Sequence, residues 1–125
     1  CRTGDGRSQA GELETAFMIL ATMRELQRKG DFMQEDQLMR MASGIPGLPQ
    51  KMSRRGLILR TQGDSWIPAG DLHDLTLADL YRRLDVPLPL RTSGAPELAG
   101  LSRQLEAANR EIEQTLSISV ARVLD

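Results

Sequence analysis

Aromatic residues make up only 3% of this 125-residue chain: one Trp, one Tyr and two Phe. That scarcity excludes the stacking platform with which single-stranded nucleic-acid binders hold bases, and it leaves a core to be built from Leu, Ile, Met and Ala. Cysteine and histidine occur once each, as Cys1 and His73. A lone cysteine forms no intramolecular disulfide and gives no sign of an oxidising compartment. One histidine, even with Asp71 and Asp74 beside it, has neither the ligand count nor the spacing of a zinc site. No apolar run reaches the ~18 residues of a membrane span, the longest patch being residues 16–23, so a soluble piece is expected. Charge of one sign is also missing. Sixteen basic residues against seventeen acidic give a net charge of −1, without the overall positive field of a dedicated nucleic-acid binder.

What is present suits a single domain of ordinary globular composition, with 40% hydrophobic and 26% charged residues. The chain starts at Cys1 rather than Met, which suggests a fragment of something longer or a processed product. A mature bacterial lipoprotein also begins with Cys and a polar tether. Residues 1–11 are rich in Gly, Arg and Ser without apolar periodicity and are expected to be a disordered linker. Leu13, Phe17, Leu20, Met23 and Leu26 recur at helical spacing, predicting a first helix over 12–29 with Gly30 as its stop. A second helix is expected over 35–43 and a short third over 49–55, opened by Pro49 and closed by Gly56.

Residues 57–61 and 65–68 flank a Gly-Asp turn and predict a β-hairpin. Thr76 and Asp79 form a capping box for a fourth helix carrying Leu77, Leu80, Tyr81 and Leu84. Pro87 and Pro89 must end it. From Pro96 an apolar stripe of Leu98, Leu101, Leu105, Ala108, Ile112, Leu116, Val120 and Val123 predicts one long amphipathic helix over 96–125. It is expected to pack back on the domain or to dimerise, because an isolated helix of this pattern is marginal in water. The element order over 12–90 gives a mainly α fold with a small β-hairpin, a winged helix-turn-helix.

No residues converge on catalysis. None of the serines lies in a nucleophile-elbow pattern, there is no glycine-rich phosphate cradle, and the neighbouring carboxylates Glu35 with Asp36 and Glu111 with Glu113 are expected on solvent faces. The expectation is a non-enzyme without metal or other cofactor. The methionines are expected mainly to fill the core. One charge cluster is asymmetric: Lys51, Arg54, Arg55 and Arg60, with no acid from Pro49 to Thr61. If this segment meets DNA, the cations would neutralise phosphates while Gln50 and Ser53 reach base edges. Otherwise it is a solvated or partner-facing patch. A DNA reader must present all four cations on one exposed face, with two copies about 34 Å apart in a dimer.

The stretch over 63–89 also carries a resemblance. Its matching residues are Trp66 and Ile67, Asp71 and Leu72, Leu77, Asp79, Leu80 and Tyr81, then Pro87, Leu88 and Pro89. With the amphipathic segment that follows, this resembles the soluble C-terminal region of the YihY family of bacterial inner-membrane proteins, long labelled ribonuclease BN-like. The resemblance implies an N-terminal membrane region elsewhere in a parent chain, which would be a partner of this piece, and a place on the cytoplasmic face of the inner membrane. Together with the winged helix-turn-helix order and the basic cluster, the expected role is regulatory or protein-interacting, with a DNA-binding regulator as the alternative. The matching residues are structural, and none supports the ribonuclease label.

Overall fold

The computed structural model describes residues 3–86 and 93–125. In chain order it contains α1 (Thr3–Arg28), β1 (Met33–Gln34), α2 (Glu35–Met41), α3 (Leu48–Arg54), β2 (Ile58–Arg60), β3 (Ser65–Pro68) and α4 (Leu77–Arg83). A 3-10 turn (Pro96–Leu98), α5 (Ala99–Thr115) and α6 (Val120–Leu124) complete it. The fold is mainly helical with a small antiparallel sheet and a long helix toward the C-terminus, as expected.

Three differences have physical causes. The segment expected to be a disordered linker is helical from Thr3. Its glycines each cost about 1 kcal/mol relative to alanine, but extending a formed helix needs no new nucleus and no proline interrupts the ladder. The hairpin gains a third strand: β1 pairs with β3 through Met33 opposite Trp66 and Gln34 opposite Ser65, giving the order β1-β3-β2. The long C-terminal helix ends at Thr115 rather than running to Asp125. The Ser117 hydroxyl donates back to the Glu113 carbonyl at 2.7 Å, and the Ser119 hydroxyl caps α6 by accepting from the Arg122 amide. The freed backbone pairs elsewhere. Leu77 donates to the Ile118 carbonyl at 2.9 Å and Val120 to the Leu75 carbonyl at 2.7 Å. The expected exit at Pro87, Leu88 and Pro89 lies outside the described residues.

One core joins nearly all of this. Ile19, Leu20 and Met23 of α1 meet Met33, Leu38, Leu48, Met52 and Ile58, then Leu80 and Leu84 of α4 and Val120 of α6. Met23, Met33 and Met52 fill the core as expected, whereas Met18 and Met39 are exposed. The expected capping box is present, with the Asp79 amide donating to the Thr76 hydroxyl and the Thr76 amide to the Asp79 carboxylate.

Helix ends set the geometry of the site. Gly30 and Gly56 take the left-handed conformation just past α1 and α3, and the following amides reach back to the Leu26 and Met52 carbonyls at 2.8 Å. The same motif closes α4, but there a non-glycine residue, Asp85, occupies the left-handed position at φ 58°. The Val86 amide then bonds the Tyr81 carbonyl at 3.0 Å.

Candidate functional site

The six candidate contact residues divide into two groups. Lys51 and Arg55 lie on the side of α3 that faces the end of α4. The Lys51 ammonium donates to the Glu12 carboxylate and to the Leu84 carbonyl, each at 2.9 Å. Both side chains of that ion pair are about four-fifths buried, at 22% and 19% exposure. Arg55 donates to the Arg83 carbonyl at 2.9 Å and pairs with Asp85 at 2.6 Å. That contact holds the Asp85 carboxyl below, and the Arg55 guanidinium above, their usual ranges. Cations placed on the last carbonyls of a helix satisfy orphan acceptors and oppose the negative end of its dipole.

Gln50, Ser53, Arg54 and Arg60 line a different place. Together with Glu35, Leu38, Met39, Pro49 and Trp66 they border a cleft of about 430 Å³ between α2, α3 and the sheet. Its apolar floor is made by buried Leu38 and Pro49, with exposed Met39 at the edge and the half-buried indole of Trp66 at one wall. Arg60 stands opposite Trp66 in the β2–β3 register, and its guanidinium lies 5.3 Å from the ring centroid, within cation–π range. A single oxygen of Glu35 receives both the Trp66 indole N–H at 2.7 Å and Arg60 at 3.1 Å. The indole hydrogen bond first, and then Arg60, hold the Glu35 carboxyl below its usual range.

The Glu35 side chain is more than a third exposed, in keeping with the expected solvent face, but it is engaged there by both Trp66 and Arg60. It neutralises Arg60 inside the cleft. All four positions are exposed, and among the described residues the side chains of Gln50, Ser53 and Arg54 have no hydrogen bond or ion pair. The basic cluster is therefore not one exposed cationic face: Lys51 pairs with Glu12, Arg55 with Asp85 and Arg60 with Glu35.

His73 lies apart from this cleft. Its Nδ1 is 2.9 Å from the Asp71 carboxylate, and both side chains are exposed. Asp71 is held below its usual range by the His73 amide and then by the imidazole. Among the described residues no group of three or more His, Cys, Asp and Glu side chains could hold a metal ion. Sequence reasoning missed Glu35, Met39 and Trp66 as members of the site. Trp66 and Glu35 are 31 residues apart, and no local signal links them.

No protein-family model matches the chain. It is 28% identical over 130 aligned positions to a protein of Halorhodospira halophila described as a UPF0761 membrane protein. The match takes in 98% of this chain and 29% of that protein, so the chain spans less than a third of the length of the curated relative it matches. Among the described residues no helix is long and apolar enough to cross a membrane. The chain is similar, over nearly its whole length, to a part of a membrane protein.

Proposed function

We propose that this chain is a non-catalytic protein-interaction module of a membrane protein of the YihY type, folded as a winged helix-turn-helix at the cytoplasmic face. Its docking surface is the cleft between α2, α3 and the sheet, and its partner is polypeptide of the parent chain's membrane region. The observation that carries the reading is the division of the basic cluster. Three of its four cations are matched by carboxylates of the same chain, while the cleft keeps an apolar floor with Gln50, Ser53 and Arg54 at its edge. An apolar floor with a few polar groups at the rim is the anatomy of a protein contact. The similarity to part of a membrane protein supports a tethered setting.

A DNA-binding regulator is the second reading, favoured by Gln50, Ser53 and Arg54 sharing the exposed side of α3. Electrostatics weigh against it. Four phosphate contacts would give a salt slope near −3.6, whereas Arg54 alone gives about −0.9.

Photo-crosslinking in the membrane-embedded parent tests the proposal. A photoreactive residue at Ser53 is expected to crosslink to parent polypeptide outside this module, and one at exposed Glu25 is not. Crosslinks from Ser53 to nucleic acid, or the same pattern from both positions, would refute the docking surface.

A further inference from the structure

The cleft between α2, α3 and the sheet holds more positive charge than it neutralises. Two guanidiniums, Arg54 and Arg60, and one carboxylate, Glu35, are among its lining side chains. Glu35 is engaged by Arg60 at 3.1 Å, and the same oxygen takes the Trp66 indole N–H at 2.7 Å. Asp64 stands 4.0 Å from Arg60 as well, so this cation is matched by two acids. Arg54 is different. Among the described residues its side chain has neither an ion pair nor a hydrogen bond, and it is exposed. The positive charge that the cleft keeps therefore sits on α3.

The side chains beside that charge define what it can meet. Gln50, Ser53 and Arg54 stand at i, i+3 and i+4 of α3, which places them on one side of the helix. Gln50 offers both a donor and an acceptor, and Ser53 a hydroxyl. Next to this polar strip the cleft floor is apolar, with Leu38 and Pro49 buried and Met39 exposed on the α2 side. An occupant that fills the cleft must bring an apolar side chain for the floor and, about one helical turn away, an acceptor for Arg54. The guanidinium fork matches a carboxylate through two parallel hydrogen bonds. A Lys or Arg in that place would meet a like charge instead.

We infer that the occupant of the cleft is an acidic segment of polypeptide, with an Asp or Glu paired to Arg54 and a neighbouring apolar side chain on Leu38 and Pro49. This deepens the docking surface proposed above and rests on it. It also discriminates among segments of the parent chain. Those that flank membrane spans on the cytoplasmic side carry an excess of Lys and Arg, so the cleft disfavours them and selects an acidic stretch. A nucleic-acid phosphate would satisfy Arg54 but leave the apolar floor uncovered.

The test uses the membrane-embedded parent with a photoreactive residue at Met39, which leaves the polar strip of α3 intact. Crosslinks to parent polypeptide outside this module are expected, on a segment that contains Asp or Glu. Their yield is expected to fall by about fivefold or more in Arg54→Glu and to be largely kept in Arg54→Lys. Changing the acid of the crosslinked segment to Lys is expected to restore the yield in Arg54→Glu, which a misfolded variant could not do. A yield unaffected by Arg54→Glu, no recovery on the charge exchange, or a crosslinked segment without Asp or Glu would overturn the acidic partner and leave the docking surface standing. Crosslinks only to nucleic acid or lipid, or none at all, would overturn both.

Discussion

Arg55 and Arg83, two cations at the ends of different helices, cap each other's chain. Arg55, the residue just past α3, donates to the Arg83 carbonyl at 2.9 Å, and Arg83 at the end of α4 donates to the Gly56 carbonyl at 3.1 Å. The C-terminal ends of α3 and α4 therefore lie close together, and the mutual repulsion of their negative dipole ends is offset by Arg55, Arg83 and Lys51. Part of what looks like a nucleic-acid footprint in the sequence is a clasp between two helices.

Lys51 is the most buried cation of that clasp. Replacing it by Met leaves the Glu12 carboxylate and the Leu84 carbonyl without their donor, which is expected to cost about 2 kcal/mol in urea unfolding. Adding Glu12→Leu is expected to recover part of the loss, because removing both partners leaves no unmatched charge. Arg54→Ala is the comparison and is expected to fall within about 0.5 kcal/mol of the parent chain. Equal losses for Lys51→Met and Arg54→Ala would contradict the clasp.

The Glu35 carboxylate gives Trp66 a pH-dependent environment. Because Glu35 is held below its ordinary value of 4.5, it stays ionised on the Trp66 N–H until the pH falls below that value. Emission from Trp66, the single Trp, is expected to change with a midpoint below 4.5, and Glu35→Gln is expected to abolish the transition. A midpoint at or above 4.5, or a transition that survives the substitution, would show that Glu35 does not hold the indole.

Acid stability follows from the other carboxylates. Asp79 is held below its ordinary value of 3.8 chiefly by the Thr76 amide, and Asp85 by Arg55. With the folded value lower than the unfolded one, each contribution is complete above the unfolded value and disappears as pH falls through the folded one. The unfolding temperature is therefore expected to hold down to about pH 5 and to drop below pH 4. Asp79→Asn is expected to lose about 1 kcal/mol at neutral pH and to show a shallower acid decline. A decline as steep as that of the parent chain would exclude Asp79 from the acid response.

Local signals carried much of the fold. Gly30 and Gly56 ended their helices, Thr76 and Asp79 capped α4, and the Gly63-Asp64 turn closed the hairpin. Strand β1 was hidden because two residues have no period; only pairing with β3 makes Met33 and Gln34 a strand. The end of α5 was hidden because Leu116, Val120 and Val123 keep helical spacing across Ser117 and Ser119. There the hydrogen bonds to Leu75 and Leu77 decide. The basic cluster was legible as a cluster and misleading as a face. The acids that match Lys51, Arg55 and Arg60 lie 39, 30 and 25 residues away, and composition within the segment says nothing about them.

In the proposed function α3 serves a protein contact rather than a DNA groove. Duplex DNA binding by the chain at two salt concentrations, with Arg54→Glu alongside, is the decisive measurement, because Arg54 is the one cation of the cluster outside the ion pairs and the clasp. Negligible binding at low salt and no difference between the two proteins are expected. Binding that falls with salt and is lost in Arg54→Glu would overturn the protein-contact reading in favour of the DNA-reading role.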